Sequence, residues 1–407
     1  MRVLVVSQYY APEDHAYAQT VAQGLAKRGN SVRVLTGYPN YPEGRLFEGY
    51  TQKLRSYEKD GAVNVLRVPL YVDHSQDALK RSLNYLSFAA SSATARRFAR
   101  GADVVYVYAT QMTPAFGPWL GRLVVGRPYV LHVQDLWPDS ITGSSLIPGR
   151  FKSRAVAAVL NPWMRSVYRH ASATIGIAPT MVETLIERGA PRDRAHLVYN
   201  FGDEESPNGH KPRSARTNGG VRIVYAGNVG VMQDLEHAVQ AAHRTKDAGV
   251  QLTIVGDGVA LPDVRAHAAR IGATNVHFRD PVPFAQIGEI YDDADYALVT
   301  LKDLPVFRGT IPSKFQDALS YGMPVISTVQ GDLRGLVEEL GVGFTADAEN
   351  PASLAEAFRA AAAASDDERN QHLERSRTAY AENFSLKSGM DSIERILRVA
   401  AKDGRKR

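Results

Sequence analysis

The chain has 407 residues, a net charge of +5 and no cysteine, which excludes disulfides, thiolate metal sites and cysteine nucleophiles. Its length suits two domains of roughly 150–200 residues each, and no apolar run reaches the roughly 20 residues of a membrane-spanning helix. The charge is unevenly spread: residues 1–200 hold 24 Lys and Arg against 14 Asp and Glu, whereas residues 201–407 hold 24 against 29. Lys80, Arg81, Arg96, Arg97 and Arg100 lie between Asp77 and Asp103 with no acid among them. Arg150, Lys152, Arg154, Arg165 and Arg169 do the same between Asp139 and Glu183. A basic first half calls for an anionic partner, with a membrane surface first in line. The sequence carries no nucleic-acid-binding motif, so nucleic acid is not expected. Met1–Ser7 reads as a strand rather than a leader, which points to a cytoplasmic protein, peripheral on the inner face of a membrane.

In chain order, Val3–Val6 is an apolar strand, Ala18, Val21, Ala22, Leu25 and Ala26 share one helical face, and Val32–Leu35 is a second strand after Gly29-Asn30. This is a Rossmann-type opening. Its first turn, Ser7 to His15, lacks G-x-G-x-x-G and does not predict dinucleotide binding. Residues 37–60 have the Tyr, Pro and Gly content of a long loop. Residues 78–100 read as a basic amphipathic helix, with Leu79, Leu83, Leu86 and Ala90 in helical spacing. Val104–Tyr108 and Tyr129–Val133 are strands. The second runs into His132-Val-Gln-Asp-Leu-Trp-Pro-Asp-Ser140, where α/β sites lie. There Asp135 is placed to polarise an acceptor hydroxyl, Asp139 either joins it or caps the next helix, and His132 reads as a structural strand histidine. Glu13 and His15 fall on the same acceptor side.

Thr174–Ile177 is a further strand, and the first domain spans 1–203. Residues 204–220, rich in Pro, Gly, Asn and Ser, form the linker. The pattern then restarts as a second domain, 221–385. Val221–Ala226 is a strand, Gly227 to Asp234 a glycine-bearing turn, Leu235–Lys246 a helix, and Leu252–Val255 a strand that ends in Gly256-Asp-Gly258. Gly227 and Gly230 let the backbone approach a ligand closely. Val276–Phe278 and Tyr296–Thr300 are strands flanking a helix near Phe284–Asp293. Residues 386–407 are a C-terminal helix and basic tail. Two Rossmann-like α/β domains thus follow one another, with a cleft expected between them.

The stretch Leu304–Thr328 organises the second domain. Ser313 and Gln316 form a capping-box pattern. Gly322 and Pro324 end the helix, and Val325–Thr328 is a buried parallel strand. Arg308 and Lys314 bring two cations to the helix N-terminus, an anion site fit for a diphosphate. Asp317, one turn on, is placed to accept from sugar hydroxyls.

Together these motifs resemble the GT-B glycosyltransferases of family 4, close to the bacterial amino-sugar and fucosamine transferases of polysaccharide assembly. The residues that carry the likeness are Tyr9-Tyr10-Ala-Pro-Glu13, Gln134-Asp-Leu-Trp-Pro-Asp139, Tyr225 to Gly230 with Gln233, Gly256-Asp-Gly258, and Ile311-Pro-Ser-Lys314 through Tyr321-Gly-Met-Pro324. The resemblance implies a nucleotide-diphosphate sugar, UDP-linked, held by Gly227, Asn228, Gly230, Gln233, Arg308, Lys314 and Asp317. It implies a hydroxyl acceptor on the first domain, retention of configuration, no cofactor and no metal. Many relatives carry a histidine at the position of Gln134. The family's paired glutamates fall here on Gly309 and Asp317. The alternatives to a transferase of N-acetylated hexose are an epimerase of the same architecture and a non-catalytic nucleotide-sugar-binding protein.

Overall fold

The computed structural model describes residues 1–13, 17–73, 77–137, 150–201, 220–283 and 286–405. The chain divides into two units, residues 1–198 with 390–407 and residues 199–389.

The first unit is built on an eight-stranded sheet. Its strands are β1 (Arg2–Val6), β2 (Ser31–Thr36), β3 (Ser56–Asp60), β4 (Val63–Arg67), β5 (Val104–Ala109), β6 (Tyr129–Val133), β7 (Ala173–Gly176) and β8 (Ala195–Leu197). The order is β3-β4-β2-β1-β5-β6-β7-β8. All neighbours are parallel except β3 and β4. Val3 to Val6 and all of β6 are buried, as strands covered on both faces must be. The order reverses beside β1, which pairs with β2 on one side and β5 on the other. Ligands of open α/β sheets bind at the carboxyl ends of strands at such a switch point.

The second unit holds a parallel sheet of β9 (Val221–Ala226), β10 (Val250–Val255), β11 (Val276–Arg279), β12 (Tyr296–Val299), β13 (Val325–Ser327) and β14 (Gly343–Thr345). Its order is β11-β10-β9-β12-β13-β14. One core forms around Ile223, Tyr225, Leu252, Ile254 and Phe358, and another around Phe315, Leu319, Met323 and Val337 on the opposite side of the sheet.

Several expectations change. The stretch 37–60 is not loop throughout, because Ser56–Asp60 forms an edge strand against β4. Its side chains are only half-buried or exposed, so it lacks the apolar signal of an inner strand. The helix expected from Leu235 to Lys246 stops at His243 and is followed by a short turn, Lys246–Ala248, that ends in left-handed Gly249. The helix expected near Phe284–Asp293 runs Ile287–Asp292, with Phe284 outside the described residues. The C-terminal helix runs Leu386–Arg405, and its residues from Met390 belong to the first unit. There Arg28 donates to Asp391 at 2.6 Å and Asn30 to Glu394 at 3.0 Å. Gly24 leaves room for Met390, whose Cε would stand 2.9 Å from a Cβ there. Of the expected linker, residues 204–219 lie outside the described residues. Among the described residues no helix is long and apolar enough to cross a membrane.

Candidate active site

In the second unit two glycine turns close on each other at the carboxyl ends of β9 and β10. Gly227 donates to the Val255 carbonyl at 2.9 Å and Val229 to the Asp257 carbonyl at 2.8 Å. A Cβ on Gly256, at φ +141°, would lie 2.0 Å from the Gly227 oxygen. Only glycine permits that approach. Val229 is buried while Gly227, Asn228 and Gly230 are not, so the turn is anchored from below and open above.

The helix Ser313–Ser320 faces this turn. Phe315, Ala318 and Leu319 bury one side against the sheet, which fixes the direction of Lys314. Its ammonium and Cε reach to 2.7 Å from where a Cβ of Gly227 would sit. The ammonium also lies 5.5 Å from the centre of the Tyr225 ring. Burial pushes the Lys314 amine down, and Asp317 pulls it back up. Asp317 is pushed up to about 6 by burial, against the pull of Lys314. A half-buried cation thus stands at a glycine turn beside a helix N-terminus, and a carboxyl of raised pKa stands one turn further along.

The start of this helix differs from the expectation. Pro312 is the N-cap and Ser313 the first helical residue, with no side-chain cap bond. Ser313 with Gln316 is therefore not a capping box. The chain arrives through Pro312, whose fixed φ already leads into the helix. The first amides therefore have no capping side chain, which suits an anion site. Gly322 is left-handed at φ +70°, as expected, with Met323 N–H returning to the Ala318 carbonyl at 2.9 Å.

Arg308 is placed differently from Lys314. Its exposed guanidinium forks onto Asp303 at 2.8 and 2.7 Å, and this pairing holds the Asp303 carboxyl below its usual range. The Arg308 carbonyl is pinned by the Asp332 amide at 2.7 Å under left-handed Gly331. Gln233 is half-buried, and its side-chain oxygen lies 2.5 Å from where a Cβ of Gly230 would stand.

A relay missed in the sequence extends from Arg308. The Asp303 amide donates to the Glu349 carboxylate at 3.1 Å, and the Glu349 amide donates to the Asp234 carboxylate at 3.2 Å. Asp234 pairs with His237 Nδ1 at 2.6 Å. Asp234 and Glu349 are the two non-glycine residues with positive φ among those described. Asp tolerates that region better than most residues, but its partner Glu349 is 115 residues away. No local signal links them.

In the first unit the turn after β1 is a polar framework. The Gln8 amide donates to Asn84 at 2.6 Å and receives one from Gln111 at 2.6 Å. Glu13 accepts from the amides of Tyr10, Asn40 and Tyr41 at 2.8–3.0 Å. Burial pushes its carboxyl up, and those amides pull it back. Glu13 therefore fastens the loop beginning at Gly37 to the turn. His132 is fully buried, bonded through Nδ1 to the Tyr106 hydroxyl at 2.6 Å and held near pKa 3 by burial. It is neutral and structural, as its strand position predicts. Asp135 follows β6, where its side chain is exposed and partial desolvation raises its carboxyl. His15 and Asp139 lie outside the described residues.

Two family models match the chain. One, described as a glycosyl transferase 4-like domain, covers residues 15–200; the other, glycosyl transferases group 1, covers residues 220–363. The putative colanic acid biosynthesis glycosyl transferase WcaI of Escherichia coli K12 is 28% identical over 382 residues, or 89% of this chain and 92% of that protein. The probable glycosyltransferase WbjE of Pseudomonas aeruginosa is 22% identical over 58% of this chain and 60% of its own. Among solved structures, Anabaena HepE in complex with UDP superposes with a TM-score of 0.64 at 14% identity, covering 98% of this chain and 100% of that one. WaaG, a glycosyltransferase involved in lipopolysaccharide biosynthesis, does so with 0.57 at 14% identity, covering 98% and 99%. These matches agree with the two parallel-sheet units in order and extent: the chain belongs to the family 4 glycosyltransferases, with the GT-B fold.

Proposed function

We propose that the protein transfers an N-acetylated hexose from a UDP-linked donor to a hydroxyl of a lipid-linked acceptor in polysaccharide assembly, with retention of configuration and without a metal. The observation that carries this reading is Lys314, whose ammonium is fixed against the Gly227 turn at the start of the helix Ser313–Ser320. Solved relatives of the same fold hold UDP and UDP-glucose, and WcaI is named for colanic acid synthesis; both support the choice of donor and product class.

In this mechanism the diphosphate lies over Gly227, Asn228 and Gly230, between Lys314 and the free amides of the helix. Arg308 turns from Asp303 to the same phosphates, and Gln233 borders them. Cations and a helix dipole preorganised at the leaving group stabilise the charge that develops there. Asp317 accepts from sugar or ribose hydroxyls. Asp135 polarises the acceptor hydroxyl. The bond from the anomeric carbon to the phosphate oxygen breaks as the bond to the acceptor oxygen forms on the same face. The acceptor proton passes to the departing phosphate oxygen. The basic first half meets an anionic membrane from the cytoplasmic side.

The test is release of UDP from UDP-GlcNAc in the presence of membrane lipid extract. Lys314→Ala is expected to lower turnover by roughly 100-fold or more, the scale of losing one preorganised charge contact. Arg308→Ala is expected to lower it less. Unchanged turnover in both variants overturns the phosphate site. Conversion of the donor sugar with no acceptor present identifies an epimerase instead. A donor that raises the melting temperature by mass action yet is never turned over identifies a binding protein.

A further inference from the structure

The helix Ala78–Ala93 is turned inside out. Toward the sheet it buries Asn84, Phe88, Ala89 and Ser92, of which two are polar. Away from it, Leu79, Leu83, Leu86 and Ala90 line one exposed stripe at helical spacing. The neighbouring helix Phe116–Val125 is almost wholly apolar, yet none of its residues is fully buried. Leu79, Leu83, Leu86, Leu123, Val124 and Val125 are between 44% and 73% exposed. Scattered exposed leucines need no explanation, but a contiguous apolar face does.

The two helices pack together, since a Cβ on Gly117 would stand 3.3 Å from the Ala93 Cα. Beneath them lies a pocket of about 260 Å³. Leu120, Val124 and Val125 wall it, and Arg96, Arg100 and Arg127 also line it. Arg100 and Arg127 precede β5 and β6, at the amino ends of the strands. This is the edge of the sheet away from Glu13 and Asp135.

The charge around the face is mostly positive, although Asp77 caps the first helix by accepting from the Leu79 and Lys80 amides. From Ala78 to Gln134 the chain carries seven basic side chains and one acid, Asp103, and Arg2 pairs with that acid at 2.9 Å. Arg33 is held below its ordinary range by burial and by the charges of Arg2 and Arg127. Apolar side chains flanked by cations match an interface of acyl chains under anionic headgroups. An acidic protein partner would satisfy the cations, but it would leave the leucine stripe without a match.

We propose that the first unit docks on an anionic phospholipid bilayer through this face, with Leu79, Leu83 and Leu86 of one helix and Leu123, Val124 and Val125 of the other entering the headgroup boundary, and Arg96, Arg97, Arg100 and Arg127 meeting the phosphates. This rests on the reading of the basic half as membrane-facing and gives it an address. It does not depend on the donor site.

The test is co-sedimentation of the full chain with phosphatidylglycerol–phosphatidylcholine vesicles and with phosphatidylcholine vesicles alone, at low and high salt. Wild type is expected on the anionic vesicles at low salt, with at least a tenfold loss at high salt, where exposed charges are screened. Leu83→Glu/Leu86→Glu and Arg96→Glu/Arg97→Glu are each expected to lose tenfold or more, with unchanged melting temperature and unchanged cleavage of soluble donor. Absence of wild-type binding to anionic vesicles overturns both the membrane reading and the face. Binding that persists in both double variants overturns the face alone. A vesicle-free dimer that the leucine variant converts to monomer makes the face a self-association surface, and also overturns the proposal. Loss of donor cleavage with vesicle binding intact would count against the glycosyltransferase site and leave the face standing.

Discussion

The turn after β1 and the turn after β9 occupy the same place in two Rossmann-like units and are built in opposite ways. After β1, side chains do the fixing: Gln8 links Asn84 and Gln111, and Glu13 holds three backbone amides. After β9, backbone does it, with glycines at 227 and 256 stacked so closely that no Cβ fits between them. A turn fixed by side chains is rigid and specific in shape, but it fills its own space. A turn fixed by backbone leaves amides and room for one outside group, and here Lys314 leans into that room. The second construction suits a phosphate common to every donor. On the proposed function, the first would suit a surface that varies with the acceptor.

The largest effect is expected where backbone meets backbone. Gly256→Ala puts a methyl 2.0 Å from the Gly227 oxygen at φ +141°. It should cost roughly 3 kcal/mol or more, as strain and overlap add. Gly29→Ala is the control. It is also left-handed, at φ +80°, but a Cβ there meets nothing within 4 Å, so about 1 kcal/mol is expected. Thermal melts of the two variants compare strain with and without contact. Equal losses would mean that the stacked turns are not a tight joint.

The side-chain turn should break more locally. Glu13→Ala removes the acceptor of three backbone amides, those of Tyr10 and Asn40 buried and that of Tyr41 partly so, at about 1–3 kcal/mol for the first and less for those that water reaches. Hydrogen exchange at Tyr10, Asn40 and Tyr41 should speed up together, while amides of β9 are unmoved. Glu13→Gln keeps one acceptor oxygen and should fall between. If exchange at Asn40 is unchanged in the alanine variant, Glu13 does not fasten the loop.

The two turns also differ in how far the sequence discloses them. β1, β9, the glycine turn and the helix Ser313–Ser320 are legible because apolar runs, glycine and proline act over a few residues. The left-handed Gly322 follows from that local chemistry alone. Glu13 is legible only as a polar residue near a strand end, since its partners Asn40 and Tyr41 arrive from a loop 27 and 28 residues away. Arg308 reads correctly as a cation before a helix, but its fork onto Asp303 is a matter of loop shape. The edge strand Ser56–Asp60 is hidden because its partner β4, not its composition, makes it a strand. The return of residues 390–405 to the first unit is set by Arg28, Asn30 and Gly24, more than 360 residues earlier. Ser313 misleads because Pro312 takes the capping position ahead of it.

The smallest effect separates the two carboxyls. Glu13 and Asp317 are both pushed up by burial, but Glu13 is pulled back by three amides and Asp317 by one lysine. Asp317 titrates near 6 in the folded chain and near 4 when unfolded. Between those values the folded state binds the extra proton, so stability falls as pH rises. Its contribution is fully present below pH about 4 and is lost by pH about 6–7. Two pKa units correspond to at most about 2–3 kcal/mol, and the residual exposure of the side chain reduces this. Melts of wild type and Asp317→Asn across this range should show the wild-type advantage shrinking by about 1–2 kcal/mol and then levelling off. A slope of the same sign is expected between wild type and Glu13→Gln, because burial outweighs the opposing amides there as well. A flat difference for Asp317 would mean that its carboxyl stays in water, and that a hydrated carboxylate rather than a partly buried one stands beside Lys314.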